Sequence, residues 1–170
     1  MAAKRTKKDP AEELDAARWD AVEEATELLH EERYHDALLQ LREVLLEDTR
    51  NPYAFYFLAI ALFESGEVEA ARDAYTACLK LAPTHLGARV ALCHVLRTLG
   101  DLRGAVREGM TALSQAPGDA DALHAVGLAY YARGDSAAAR KYLNAFLDAK
   151  PEFEVAVEVR AMLDALDQQS

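Results

Sequence analysis

Apolar residues in this chain recur at intervals of three and four. Phe55, Leu58, Ala59 and Leu62 stand at i, i+3, i+4 and i+7, the spacing that lines one face of a helix. After Gly66 a second face begins with Val68, Ala71, Tyr75, Cys78 and Leu79. The arrangement returns further on as Leu123, Val126, Gly127 and Tyr130, then Gly134, then Ala139, Tyr142, Phe146 and Leu147. The pattern predicts pairs of helices joined by short turns, an all-α fold.

The pairs repeat with a fixed period. Ala37, Ala71, Ala105 and Ala139 lie 34 residues apart, and Gly66, Gly100 and Gly134 share that spacing, as do Pro83, Pro117 and Pro151. Three residue types on one period define a repeat protein, framed as 18–51, 52–85, 86–119 and 120–153. The glycines suit a left-handed residue closing each first helix. Asp101 and Asp135 follow as N-caps of the second helix. Asn51-Pro52 reads as N-cap and first-turn proline of the next unit. Asp9-Pro10-Ala11-Glu12 reads as a helix start with a capping carboxylate. From it one stripe runs on through Leu14, Ala17, Ala21, Ala25 and Leu28, so residues 10–17 are expected to extend the first helix. Val155, Val159, Met162, Leu163 and Leu166 share a face within 154–170, a helix expected to cap the last repeat.

These positions resemble the tetratricopeptide repeat family over Arg18 to Phe153, about four-fifths of the chain. Small residues where the two helices of a hairpin cross are Ala25, Ala59, Cys93 and Gly127 in the first helices, and the alanines at 37, 71, 105 and 139 in the second. Larger side chains there would force the helices apart, at roughly 1–3 kcal/mol. The resemblance implies a right-handed helical solenoid of four helix-turn-helix repeats. Repeat one departs from the pattern, with Glu32 for the glycine and Thr49 for the proline. Repeat three has Gly109 where the family usually has bulk. With Gly104 that makes its second helix the expected weak element, with Met110 filling some of the space.

The resemblance also implies which side chains line the concave groove. They include Trp19 and Val22 from repeat one and Tyr53, Tyr56, Phe57, Ile60 and Phe63 from repeat two. Repeat three contributes Val90, His94 and Arg97, and repeat four His124, Leu128 and Tyr131. The first helix of repeat two is apolar nearly all round, and a helix without a polar face is normally covered on every side. Aromatic anchors make a partner segment the expected cover, with neighbouring helices as the alternative. Chaperone-cofactor members of the family clamp a C-terminal carboxylate with Lys, Asn and Arg side chains. The matching positions here hold Val22, Thr26, Ile60, Gly87 and Ala91, so an EEVD-type ligand is not expected. Arg97 is suited to pair with one acidic residue of a mainly apolar segment.

Charge and chemistry narrow the picture further. The net charge of −10 in 170 residues repels phosphate backbones, so nucleic-acid binding is not expected. Lys4, Arg5, Lys7 and Lys8 make residues 1–9 basic, and a disordered start is expected there. No apolar run approaches the roughly 18 residues of a membrane span, and no apolar stretch follows the basic start as a secretory signal would need, so a soluble cytoplasmic protein is expected. Ala- and Arg-rich usage suggests a bacterial gene. His30, His35, His85, His94 and His124 show no metal-ligand spacing, though His94 and His124 are placed to approach each other. Cys78 and Cys93 are expected to be buried free thiols. With no phosphate loop and no nucleophile elbow, neither catalysis nor a cofactor is expected. The resulting expectation is a non-enzymatic adaptor that binds an apolar segment of a partner protein. The alternatives are a secretion-type chaperone and a self-assembling scaffold.

Overall fold

The computed structural model describes residues 9–168. The expected basic tail, apart from Asp9, and the last two residues lie outside the described residues. Among the described residues there are ten helices and no strand. They are α1 (Pro10–Asp20), α2 (Glu23–His30), α3 (Tyr34–Glu47), α4 (Pro52–Glu64), α5 (Val68–Leu81), α6 (Leu86–Thr98), α7 (Leu102–Gln115), α8 (Ala120–Arg133), α9 (Ser136–Asp148) and α10 (Phe153–Gln168). None is long and apolar enough to cross a membrane. The chain divides into two compact units, one through Leu81 and one from Ala82.

In unit one, α2 packs on α3, α3 on α4 and α4 on α5, while α1 lies against α4. In unit two, α6 packs on α7, α7 on α8, α8 on α9 and α10 on α9. The crossing positions behave as their size requires. Ala25, Ala59 and Cys93 are fully buried, as are Ala37, Ala71, Ala105 and Ala139. A Cβ on Gly127 would stand 2.5 Å from Leu143 Cδ2 and 3.2 Å from its backbone nitrogen, so α8 and α9 touch there. On α10, Ala156, Val159 and Leu166 are buried, and Arg140 of α9 pairs with Asp167.

All four hairpins turn in one way. Gly66, Gly100 and Gly134 adopt φ near +80°, and the following amide reaches back across the turn, Glu67 N to Leu62 O at 2.8 Å for example. Repeat one keeps this closure without the glycine. Glu32 itself takes φ +57°, and Arg33 N reaches Leu28 O at 2.9 Å. The caps fall where the residues place them: Asn51 accepts from Tyr53 N and Ala54 N, Asp101 from Gly104 N, and Asp135 from Ala138 N.

Two expectations need correction. The first helix does not run unbroken from Pro10, because α1 ends at Asp20 and α2 starts at Glu23. In a continuous helix the Arg18 carbonyl would accept from Val22 N–H. Instead it accepts from the Asn51 side-chain amide at 2.9 Å, and Val22 N–H turns to Trp19 O at 3.0 Å. The break swings Val22 fully into the core. Nor is there space at Gly109 for Met110 to fill. A Cβ on Gly109 would lie 2.6 Å from Val126 Cγ2 and 3.1 Å from Cys93 Sγ, so the glycine lets α7 approach α6 and α8 closely, and Met110 points outward. Gly104 sits in the first turn of α7, beside its cap, where a glycine costs less than in a helix interior.

Candidate functional site

In unit one an aromatic face is built on α4. Trp19, at the end of α1 and half exposed, meets Tyr53 edge-on at 5.2 Å between ring centroids and Phe57 at 5.9 Å. Phe57 meets Tyr56 at 5.2 Å, and Tyr56 meets the buried Tyr75 of α5 at 6.1 Å. Such edge-to-face pairs contribute about 0.5–1.5 kcal/mol each beyond simple burial. Tyr53 is further held by its hydroxyl, which donates to Asp15 Oδ1 at 2.9 Å; burial and that carboxylate push its pKa up. The asparagine cap fixes the start of α4 and ties it to α1, and Arg18 Nε donates to Asp48 Oδ2 at 2.7 Å beside it, which holds the Asp48 carboxyl below its usual range.

α4 buries its small residues, Ala54, Ala59 and Ala61, together with Leu62. Its bulk lies elsewhere. Tyr53, Tyr56, Phe57, Ile60 and Phe63 all keep part of their surface open, even with α1 laid across the first of them. Neighbouring helices therefore cover this face only in part.

Unit two presents different chemistry. His94 of α6 and His124 of α8 approach to 6.3 Å between ring centroids, and His124 stacks on Phe146 of α9 at 4.5 Å. Burial, reinforced by the Arg97 guanidinium and by His124, pushes the His94 pKa down to about 4. His124 is lowered by burial and by Arg97, against the opposing pull of Asp121 and Glu158. Both rings are thus neutral near pH 7. Arg97 itself is partly exposed, yet its Nε is buried and has no hydrogen-bond partner among the described residues. A buried donor left unpaired costs roughly 1–3 kcal/mol, and the partly exposed remainder of the guanidinium is open to an acceptor. Leu128 and Tyr131 of α8 are half-buried. Val90 is buried and serves packing.

The rings at 19, 53, 56 and 57 are brought together in unit one, with Ile60 and Phe63 further along the same helix. The pair at 94 and 124 is brought together in unit two with Arg97. One feature of unit two was not anticipated. His85 Nδ1 accepts from Ala88 N at 3.1 Å and so caps α6, a role in which its proton sits on Nε2; burial lowers its pKa. The period offers the signal, since Asn51 and Asp119 cap α4 and α8 at the equivalent place. Cys78 and Cys93 are both buried and free, with thiols pushed up to about 11 by burial. Among the described residues no group of three or more His, Cys, Asp or Glu side chains could hold a metal ion.

No curated protein sequence matches the chain. Among solved structures it is similar to MamA, with 26% identity, a TM-score of 0.72 and 78% of each chain covered. YrrB, described as a TPR protein with an unusual peptide-binding site, shares the fold at TM-score 0.73 and 22% identity, over 86% of this chain and 74% of YrrB. The second TPR domain of human RPAP3, solved with the HSP70 peptide SGPTIEEVD, aligns at TM-score 0.63 and 18% identity, over 68% of this chain and 97% of that domain. The family model for the tetratricopeptide repeat matches residues 22–85 and 91–152. That match spans both units and most of the hairpins described above, and the chain belongs to the tetratricopeptide repeat family.

Proposed function

We propose that this chain is a non-enzymatic cytoplasmic adaptor that captures an apolar segment of a partner protein on the aromatic face of α4. The observation that carries the reading is the partial exposure of Tyr56, Phe57, Ile60 and Phe63 on a helix with no polar face. Aromatic residues half-buried in this way are the usual anchors of an interface. In unit two the partly exposed Arg97 guanidinium, beside two neutral imidazoles, suits a carboxylate of a partner protein. Peptide recognition by YrrB and by the RPAP3 domain is in keeping with this class of function. The positions expected to clamp an EEVD carboxylate remain apolar or small here, so the ligand differs from that of RPAP3.

The test is affinity capture from native lysate with wild type and a Tyr56→Ala/Phe63→Ala variant, followed by mass spectrometry of the bound proteins. A partner held by wild type and lost by the variant supports the α4 face, since losing two anchors weakens binding by at least about 2 kcal/mol. A partner held equally by both refutes it.

A further inference from the structure

Unit two carries another surface, unused by either patch above. A cleft of about 410 Å³ is lined by Met110 and Leu113 of α7, Leu123 of α8 and Tyr142 and Ala145 of α9. The Tyr142 ring is held flat against Tyr130, with centroids 5.6 Å apart and planes 4° apart. Among the described residues Lys141 is the one charged side chain on the cleft. Its ammonium lies 5.1 Å from the centre of the Tyr142 ring, and no carboxylate pairs with it among the described residues. The cleft is therefore apolar inside with a single cation at its rim.

The same unit carries the converse of that surface. Phe153, in the first turn of α10, is 78% exposed, and Val157 one helical turn later is 46% exposed on the same side. Glu152 and Glu154 flank the ring, and both are exposed. Phe153 and Val157 together form an open apolar edge bordered by acidic side chains. We propose that the Phe153–Val157 edge of one copy seats in the α7–α9 cleft of a second copy, with Glu152 or Glu154 paired to Lys141. Two apolar side chains suit a cleft too large for one ring, and the acidic flanks match its only charge. The two surfaces differ, so the contact is heterologous and passes from copy to copy unless its rotation closes a ring.

Sedimentation velocity over a concentration series at about 0.15 M salt tests this without any partner protein. Wild type should gain mass with concentration. Phe153→Asp removes the edge and Ala145→Trp fills the cleft, so each alone should remain monomeric. Mixed in equal amounts they should form a one-to-one dimer that grows no further, because one intact edge meets one intact cleft. Lys141→Glu, an exposed change that leaves the core untouched, should weaken association at least about tenfold, and a Glu152→Lys/Glu154→Lys copy should restore it. A wild type that stays monomeric throughout overturns the proposal. So does association that Phe153→Asp and Lys141→Glu leave unchanged, or a mixture that fails to pair. The Tyr56→Ala/Phe63→Ala variant should self-associate like wild type, which separates this contact from the α4 face.

Discussion

Helices α4 and α8 hold the same place in their hairpins, yet they differ in how much apolar bulk they leave open. α8 buries small side chains, Ala122, Ala125, Gly127 and Ala129, with Leu123 and Val126, and leaves Leu128, Tyr130 and Tyr131 partly open. α4 also buries small residues, but it carries seven bulky apolar side chains that packing only partly uses. Equivalent position thus does not mean equivalent employment. In α8 the demand comes from the fold. In α4 much of the bulk is left partly open by the fold.

The contrast can be pressed hardest at the crossing point. Gly127→Val should destabilise unit two by about 3 kcal/mol or more, because the added atoms meet Leu143 and its backbone. Ala59→Gly at the same place in α4 should cost only about 1 kcal/mol, the penalty of a glycine in a helix. Chemical denaturation of each variant decides whether the difference is real.

Acid should act on unit two with nearly equal force. His85, His94 and His124 are all held below the ordinary imidazole range in the folded chain. As the pH falls past 6.5 the unfolded chain takes up protons that the folded one refuses, until His94 yields near pH 4. The stabilisation is complete above about pH 6.5 and is lost through that window, by about 3 kcal/mol for His94 alone. His94→Gln should flatten the slope. Trp19, the chain's single tryptophan, gives a fluorescence signal from unit one for comparison with far-ultraviolet circular dichroism.

The caps offer a finer comparison. Asn51→Ala should cost about 2 kcal/mol, since it removes both the α4 cap and the buried bond to the Arg18 carbonyl. Asp119→Ala, which caps α8 alone, should cost about 1 kcal/mol. The smallest effect has the opposite sign. Glu32→Gly should stabilise unit one by up to about 1 kcal/mol by relieving a left-handed non-glycine residue. Thermal melting measures both.

Much of the fold was legible because the period records local demands. A residue at φ near +80° favours glycine, a crossing point requires a small side chain, and a helix start needs a cap, so each leaves a mark every 34 residues. The broken first helix left no such mark. Its apolar stripe continues through Ala21, and the break depends on an amide 33 residues away taking the Arg18 carbonyl. Gly109 misled for a related reason, since a glycine that permits contact looks in sequence like one that weakens a helix. Of the candidate site, the residue types on α4, α6 and α8 were readable from helical spacing and the family pattern. The burial of Val22 and Val90 was not, because apolar side chains look alike until their neighbours are known.

The two cysteines acquire a use from their burial. Each unit holds one, and a thiol pKa near 11 leaves each about a hundredfold poorer in thiolate than an ordinary cysteine, besides shielding the sulfur from reagent. Alkylation of the native chain therefore waits on local opening. Timed labelling followed by peptide mapping would report separately, at Cys78 and at Cys93, how often each half of the molecule breathes.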